Sequence, residues 1–97
     1  MAKYRLSHTA KEDVIRIHQY GIKHFGIQQA DKYFDNLFEH FEIISNQPFS
    51  FPAVDFIKTG YRRCVCGIDS IYYRVQNGKI EIMTIIGRQD LELLDIN

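Results

Sequence analysis

Between Gln28 and Ser45 apolar side chains recur at three- and four-residue steps: Ala30, Tyr33, Phe34, Leu37, Phe38, Phe41 and Ile44. That is the period of one helical face, so the segment predicts an amphipathic helix. Asn46-Gln47-Pro48 stops it, because the residue before a proline is pushed out of helical conformation. An earlier stretch repeats the pattern more weakly, with Val14, Ile17 and Gly21 on one face and charges on the other. It predicts a first helix ending near His24, with Thr9-Ala10-Lys11-Glu12 as its capping box and Gly26 closing it. The short linker makes the two helices an antiparallel hairpin.

Elsewhere the period is two. Lys3 to His8 alternates, with Tyr4 and Leu6 on one face, and predicts a short first strand. After a segment from Pro48 to Gly60 that reads as a loop packed onto the domain, Tyr61–Cys66, Ser70–Gln76 and Lys79–Ile86 predict three strands. The first two join near Gly67. Asn77-Gly78 predicts a type I′ turn between the last two, since both central positions need positive φ. A two-residue turn there sets Val75 opposite Ile80, Arg74 opposite Glu81 and Tyr73 opposite Ile82. Apolar then meets apolar on one face while an ion pair forms on the other. The expectation is an α+β fold in the order β-α-α-β-β-β, a helical hairpin on a small, mainly antiparallel sheet, with residues 1–97 forming a single domain.

Composition fits that picture. The 97 residues are 45% apolar, 13% aromatic and 25% charged, outside the regime of disorder. Net charge is zero but uneven: residues 56–88 hold six basic against two acidic side chains, and the tail from Gln89 holds three acids and no base. That basic region is too small for a general nucleic-acid binder, and leaves room for a patch aimed at one acidic partner. No apolar run is long enough to span a membrane, no signal peptide is evident, and two cysteines make no disulfide scaffold, so the chain is expected in the cytoplasm.

Candidate chemistry is sparse. Cys64-Val65-Cys66 puts two thiols on one strand face. The histidines His8, His18, His24 and His40 show no paired ligand spacing for zinc, so the thiols read as core packing and no metal or cofactor is expected. His18 pairs with no nucleophile in the pattern and reads as a helix-surface residue. Glu12-Asp13 reads as acid favoured by the field at a helix N-terminus. There is no phosphate loop, nucleophile elbow or paired-carboxylate site. What remains is basic: adjacent Arg62 and Arg63 at the start of a strand, and Arg88 just after the last one. Side chains alternate along a strand, so at most one of the pair can share a patch with Arg88. The alternative is that they are solvated edge charges that discourage aggregation.

These motifs in this order resemble the ParE branch of the RelE/ParE toxin superfamily of bacterial toxin–antitoxin modules. The matching residues are Tyr4-Arg5-Leu6-Ser7 leading into Ala10 and Asp13, then Phe25-Gly26 with Gln29-Ala30, and Pro48. Gly60-Tyr61-Arg62-Arg63, Ile71-Tyr72-Tyr73-Arg74-Val75, and Ile82 to Ile86 running into Gly87-Arg88-Gln89-Asp90 complete the set. RelE-type members cleave mRNA on the ribosome with a basic cluster and, typically, a Tyr or His near the C-terminus. Such chemistry needs a base, a proton donor and cations. Here the tail after Arg88 has no Tyr, His, Lys or Arg, and its acids would repel an RNA phosphate, which disfavours the nuclease.

The resemblance therefore implies a gyrase-poisoning toxin without catalysis of its own, with Arg62, Arg63 and Arg88 as target-binding residues. It also implies a cognate ParD-like antitoxin wrapping an amphipathic segment over the toxin, with the helix-hairpin surface and Leu91, Leu93 and Leu94 as contacts; the alternative is that the tail leucines pack back onto the sheet. DNA would be contacted only through the antitoxin or gyrase. The competing expectations are a ribosome-dependent mRNA endoribonuclease and a non-toxic corepressor partner of the antitoxin.

Overall fold

The computed structural model describes residues 4–87. The elements are β1 (Tyr4–Leu6), α1 (His8–Phe25), α2 (Ile27–Asn46), β2 (Tyr61–Cys66), β3 (Asp69–Gln76) and β4 (Lys79–Gly87). The helices pack on one face of a four-stranded mixed sheet of order β1-β4-β3-β2. β2, β3 and β4 form an antiparallel meander, and β1 returns to pair parallel with β4, Tyr4 facing Ile80 and Leu6 facing Ile82.

The core follows from the two periods. Ala10, Val14 and Ile17 of α1 and Leu37, Phe41 and Ile44 of α2 are buried against Cys64, Cys66, Ile71, Tyr73, Ile80, Ile82 and Ile85 of the sheet. Each large aliphatic or aromatic side chain removed from water there contributes roughly 1.5–3 kcal/mol. Gly26, at φ 86° and ψ 162°, is the sole residue between the helices. The chain therefore reverses at once, and the hairpin closes tightly: a Cβ on Gly21 would meet the Cβ of Ala30 at 3.2 Å.

The Asn77-Gly78 turn has positive φ at both residues, and all three expected cross-strand pairs occur. The Arg74–Glu81 pair closes at 2.8 Å. A register shift between Tyr72 and Tyr73 interrupts the pairing with β4 just beyond these pairs.

Three local expectations change. The cap of α1 is Ser7, not Thr9: its hydroxyl accepts the Ala10 N–H at 3.0 Å and donates to the Met83 carbonyl at 2.7 Å, so one side chain starts the helix and ties it to β4. Glu12 and Asp13 part company. Glu12 stays near the surface beside His8, while Asp13 accepts the Ile85 N–H at 2.9 Å and the Thr84 hydroxyl at 2.7 Å. Arg16 donates to the Ile85 carbonyl at 3.2 Å. Because β1 stops at Leu6, the far end of β4 has no strand on its β1 side, and α1 side chains satisfy the backbone there instead. His18, finally, is not a simple surface residue. Its Nε2 lies 2.8 Å from Asp31 Oδ1 and its ring packs edge-on to Phe34, so it joins the two helices.

The segment between α2 and β2 packs onto the domain as expected, with Val54 buried as its anchor. Backbone bonds from Val54 to Tyr61 and from Arg63 to Pro52 lay it along the edge of β2.

Candidate functional site

With the helices on one face, none of the described elements packs over the opposite face of the sheet. Alternation assigns it Tyr61, Arg63 and Val65 from β2, Ser70, Tyr72 and Arg74 from β3, Glu81 from β4 and Arg5 from β1. Charge is ordered along it. Glu81 receives Arg74 at 2.8 Å and Arg5 at 2.5 Å. The hydrogen bond from Arg74, then the one from Arg5, hold its carboxyl below the ordinary glutamate range. Arg63 sits opposite Tyr72 and makes no ion pair with any described residue. Tyr72 is buried although it belongs to this face. The face therefore presents one uncommitted guanidinium beside an arginine–glutamate–arginine cluster that keeps one net positive charge, bordered by Tyr61 and Val65.

Arg62 lies on the other side of β2, as alternation requires. Its guanidinium donates to the Phe51 carbonyl at 2.7 Å and stacks 5.1 Å from the Phe49 ring centroid, which pins the α2–β2 loop to the strand. The structure does not bring Arg62 and Arg63 together. Arg88 and the apolar tail residues Leu91, Leu93 and Leu94 lie outside the described residues.

A second concave feature runs between the helices. A groove of about 400 Å³ is lined by Val14, Ile17, Ala30, Phe34 and Leu37, with Phe25 and Ile68 exposed at its rim. At its sheet end Tyr33 donates to Asp69 at 2.5 Å, and its hydroxyl also lies 2.7 Å from the Cys66 carbonyl. Burial, reinforced by the Asp69 carboxylate, pushes the Tyr33 hydroxyl far above its usual range. Gly67 turns the chain over this ring: its φ is 59°, and a Cβ there would lie 3.0 Å from the Tyr33 ring. Sequence periodicity assigned these residues to the core; that the hairpin leaves a groove follows from where the turn between β2 and β3 comes to rest.

Tyr61 and Tyr72 share the face of Arg63, whereas the histidines, Tyr33, Tyr73 and both thiols lie away from it. The four histidines are all on α1 and α2. His18 faces Asp31, and His40 Nδ1 lies 2.8 Å from the Asn36 carbonyl, to which it donates. Burial pushes the Tyr73 hydroxyl up to about 12, and it donates to the Pro48 carbonyl on the inner side of the sheet. Both cysteines are free thiols in the core, and burial pushes Cys66 up to about 11. Among the described residues no three His, Cys, Asp or Glu side chains could together hold a metal ion.

The chain is similar to known proteins over most of its length. Residues 4–92 match the family described as the ParE toxin of the type II toxin–antitoxin system, parDE. Toxin ParE1 of Caulobacter vibrioides is 34% identical over 86 residues, covering 89% of this chain and 88% of that protein. A solved structure of the chromosomal ParDE TA system from P. aeruginosa superposes with a TM-score of 0.72 at 20% identity, covering 90% of this chain and 98% of that one.

Proposed function

The chain belongs to the ParE toxin family of type II toxin–antitoxin systems, and we propose that it inhibits DNA gyrase by stabilising the enzyme's cleaved-DNA complex, catalysing nothing itself. The observation that carries this reading is the sheet face opposite the helices, which no described element covers. Its Arg63 is uncommitted, while every described histidine and the Tyr33 and Tyr73 hydroxyls are held elsewhere. Cleavage of RNA needs a base, an acid and cations within reach of one phosphate. Binding needs only a rigid, complementary surface.

Arg63 is the described member of the target-binding patch, with Arg88 as its expected companion. Arg62 supports it from behind by holding the loop. A cognate antitoxin neutralises the toxin in the cytoplasm, and the helix-hairpin groove, apolar and rimmed by Phe25 and Ile68, is where its amphipathic segment lies. Leu91, Leu93 and Leu94 extend that contact.

The test is purified protein with gyrase, relaxed plasmid and ATP. Supercoiling stops and linear DNA accumulates after protein denaturation, whereas an Arg63→Ala/Arg88→Ala variant leaves supercoiling running. Unaltered inhibition by that variant overturns the residue assignment. Cleaved mRNA in a translation extract with gyrase untouched replaces the mechanism with the nuclease. Silence in both assays leaves the corepressor role.

A further inference from the structure

We infer that the α2–β2 loop and the start of β2 form a second part of the target-binding surface, shaped to take an acidic, apolar segment of the target protein. This rests on the reading of the chain as a protein-binding toxin and extends the Arg63 face around the edge of the sheet.

Three large apolar side chains stand out from this loop: Phe49 is 68% exposed, Phe56 82% and Ile57 52%. Single exposed apolar residues are ordinary, but three large ones within nine residues of one loop are not. Their exposure is not a by-product of a loose chain. Val54 is buried beneath them, its N–H donates to Tyr61 at 2.8 Å, and the N–H groups of Ile57 and Lys58 return to its carbonyl. The Gly60 N–H donates to Asp55 at 2.8 Å, and Arg62 ties Phe51 to the strand. The loop is thus fixed before anything binds, which lowers the ordering cost of binding.

Its charge selects the partner. Residues 49–63 carry Lys58, Arg62 and Arg63 against Asp55, and Asp55 is engaged with Gly60. Two of the cations lie on aromatic rings, Arg62 on Phe49 at 5.1 Å and Lys58 on Tyr61 at 5.4 Å. Aromatic residues flanked by arginine are the composition of interface hot spots. Acidic side chains match the cations, and aliphatic or aromatic anchors match Phe56 and Ile57. Nucleic acid fits less well, since affinity for a phosphate backbone grows with the number of cations; the loop offers Lys58 and Arg62, with Arg63 on the opposite face of β2, on a chain of zero net charge.

The experiment compares wild type, Phe56→Ser/Ile57→Ser, Lys58→Glu and, as an exposed control on α1, Ile15→Ser in the gyrase supercoiling assay. Thermal unfolding and antitoxin binding are measured alongside. Both loop variants should need about tenfold more protein for half-inhibition, the loss expected on removing one hot spot, with unfolding temperature and antitoxin affinity unchanged. Ile15→Ser should match wild type. Lys58→Glu guards against misfolding of the double variant, since it alters charge on an exposed side chain alone. If wild type inhibits and both loop variants are equally potent, the inference falls and the toxin reading stands. A wild type that leaves gyrase untouched overturns both. Loss of antitoxin affinity with inhibition intact makes the antitoxin the occupant and overturns the inference. So does binding of single-stranded or duplex DNA by the isolated protein at physiological salt, if it depends on Phe56 and Lys58.

Discussion

Replacing Gly67 by alanine separates two costs that glycine avoids at once. The backbone there has φ 59°, and an added Cβ would lie 3.0 Å from Tyr33 Cε1 and 3.1 Å from its hydroxyl oxygen. A left-handed conformation costs an alanine roughly 1–2 kcal/mol, and crowding of a packed ring adds about 1–3 kcal/mol. Gly78 supplies the reference, because its φ is 73° and a Cβ there meets nothing within 4 Å. Gly78→Ala should therefore show the backbone cost alone. The stiffening of the unfolded chain by alanine is common to both and cancels in the comparison. The expected result is that Gly67→Ala is less stable than Gly78→Ala by about 1–3 kcal/mol, read from urea unfolding followed by circular dichroism, since the chain has no tryptophan. In a Tyr33→Ala background the extra cost should vanish, and that non-additivity identifies the contact responsible. Equal losses at Gly67 and Gly78 would refute the argument, because Tyr33 would then be giving way freely.

Asp13→Ala should destabilise by roughly 1–3 kcal/mol, since it leaves the buried Ile85 N–H without its acceptor, whereas Glu12→Ala should stay within about 0.5 kcal/mol; urea midpoints compare the two. Glu81 has its folded-state carboxyl held below the ordinary value of 4.5, so its contribution is complete above that value and disappears as pH falls through the lower folded one. The stability gap between wild type and Glu81→Gln should accordingly be full at neutral pH and close in acid, and a gap that widens on acidification would contradict the arrangement. Buried Cys64 and Cys66, both pushed up, the second to about 11, should resist iodoacetamide at mildly alkaline pH until urea unfolds the chain; rapid labelling with native dichroism would place them at the surface instead.

How legible all this was depended on whether the decisive interaction is local. Asn77-Gly78 announces its hairpin because a two-residue turn dictates every pair beyond it, and the register followed to Tyr73 and Ile82. Both helices were legible from spacing, and the core thiols from their place on an alternating strand. Ser7 was missed as the cap because the hydroxyl is chosen partly by Met83, 76 residues away. Asp13 looked like its neighbour Glu12 for the same reason: the backbone it serves belongs to the other end of the chain. Within the candidate site, alternation correctly separated Arg62 from Arg63, but nothing nearby in sequence revealed that Arg62 is held by Phe49 and Phe51. The groove beside Tyr33 was invisible too, since it depends on where the turn at Gly67 comes to lie against α2.

The position of β4 also bears on when the chain can finish folding. The strand lies between β1 and β3, so a strand made late is an interior one, and the strand made first has β4 as its sheet neighbour. While a ribosome is still synthesising the chain, the helical hairpin can form from neighbouring residues, but the sheet beneath it cannot close. The slow, long-range closure must wait for β4 to emerge. A message cut short before that strand would release a fragment in which β1 and β3 have lost the strand that lies between them, a substrate for proteases rather than a folded domain.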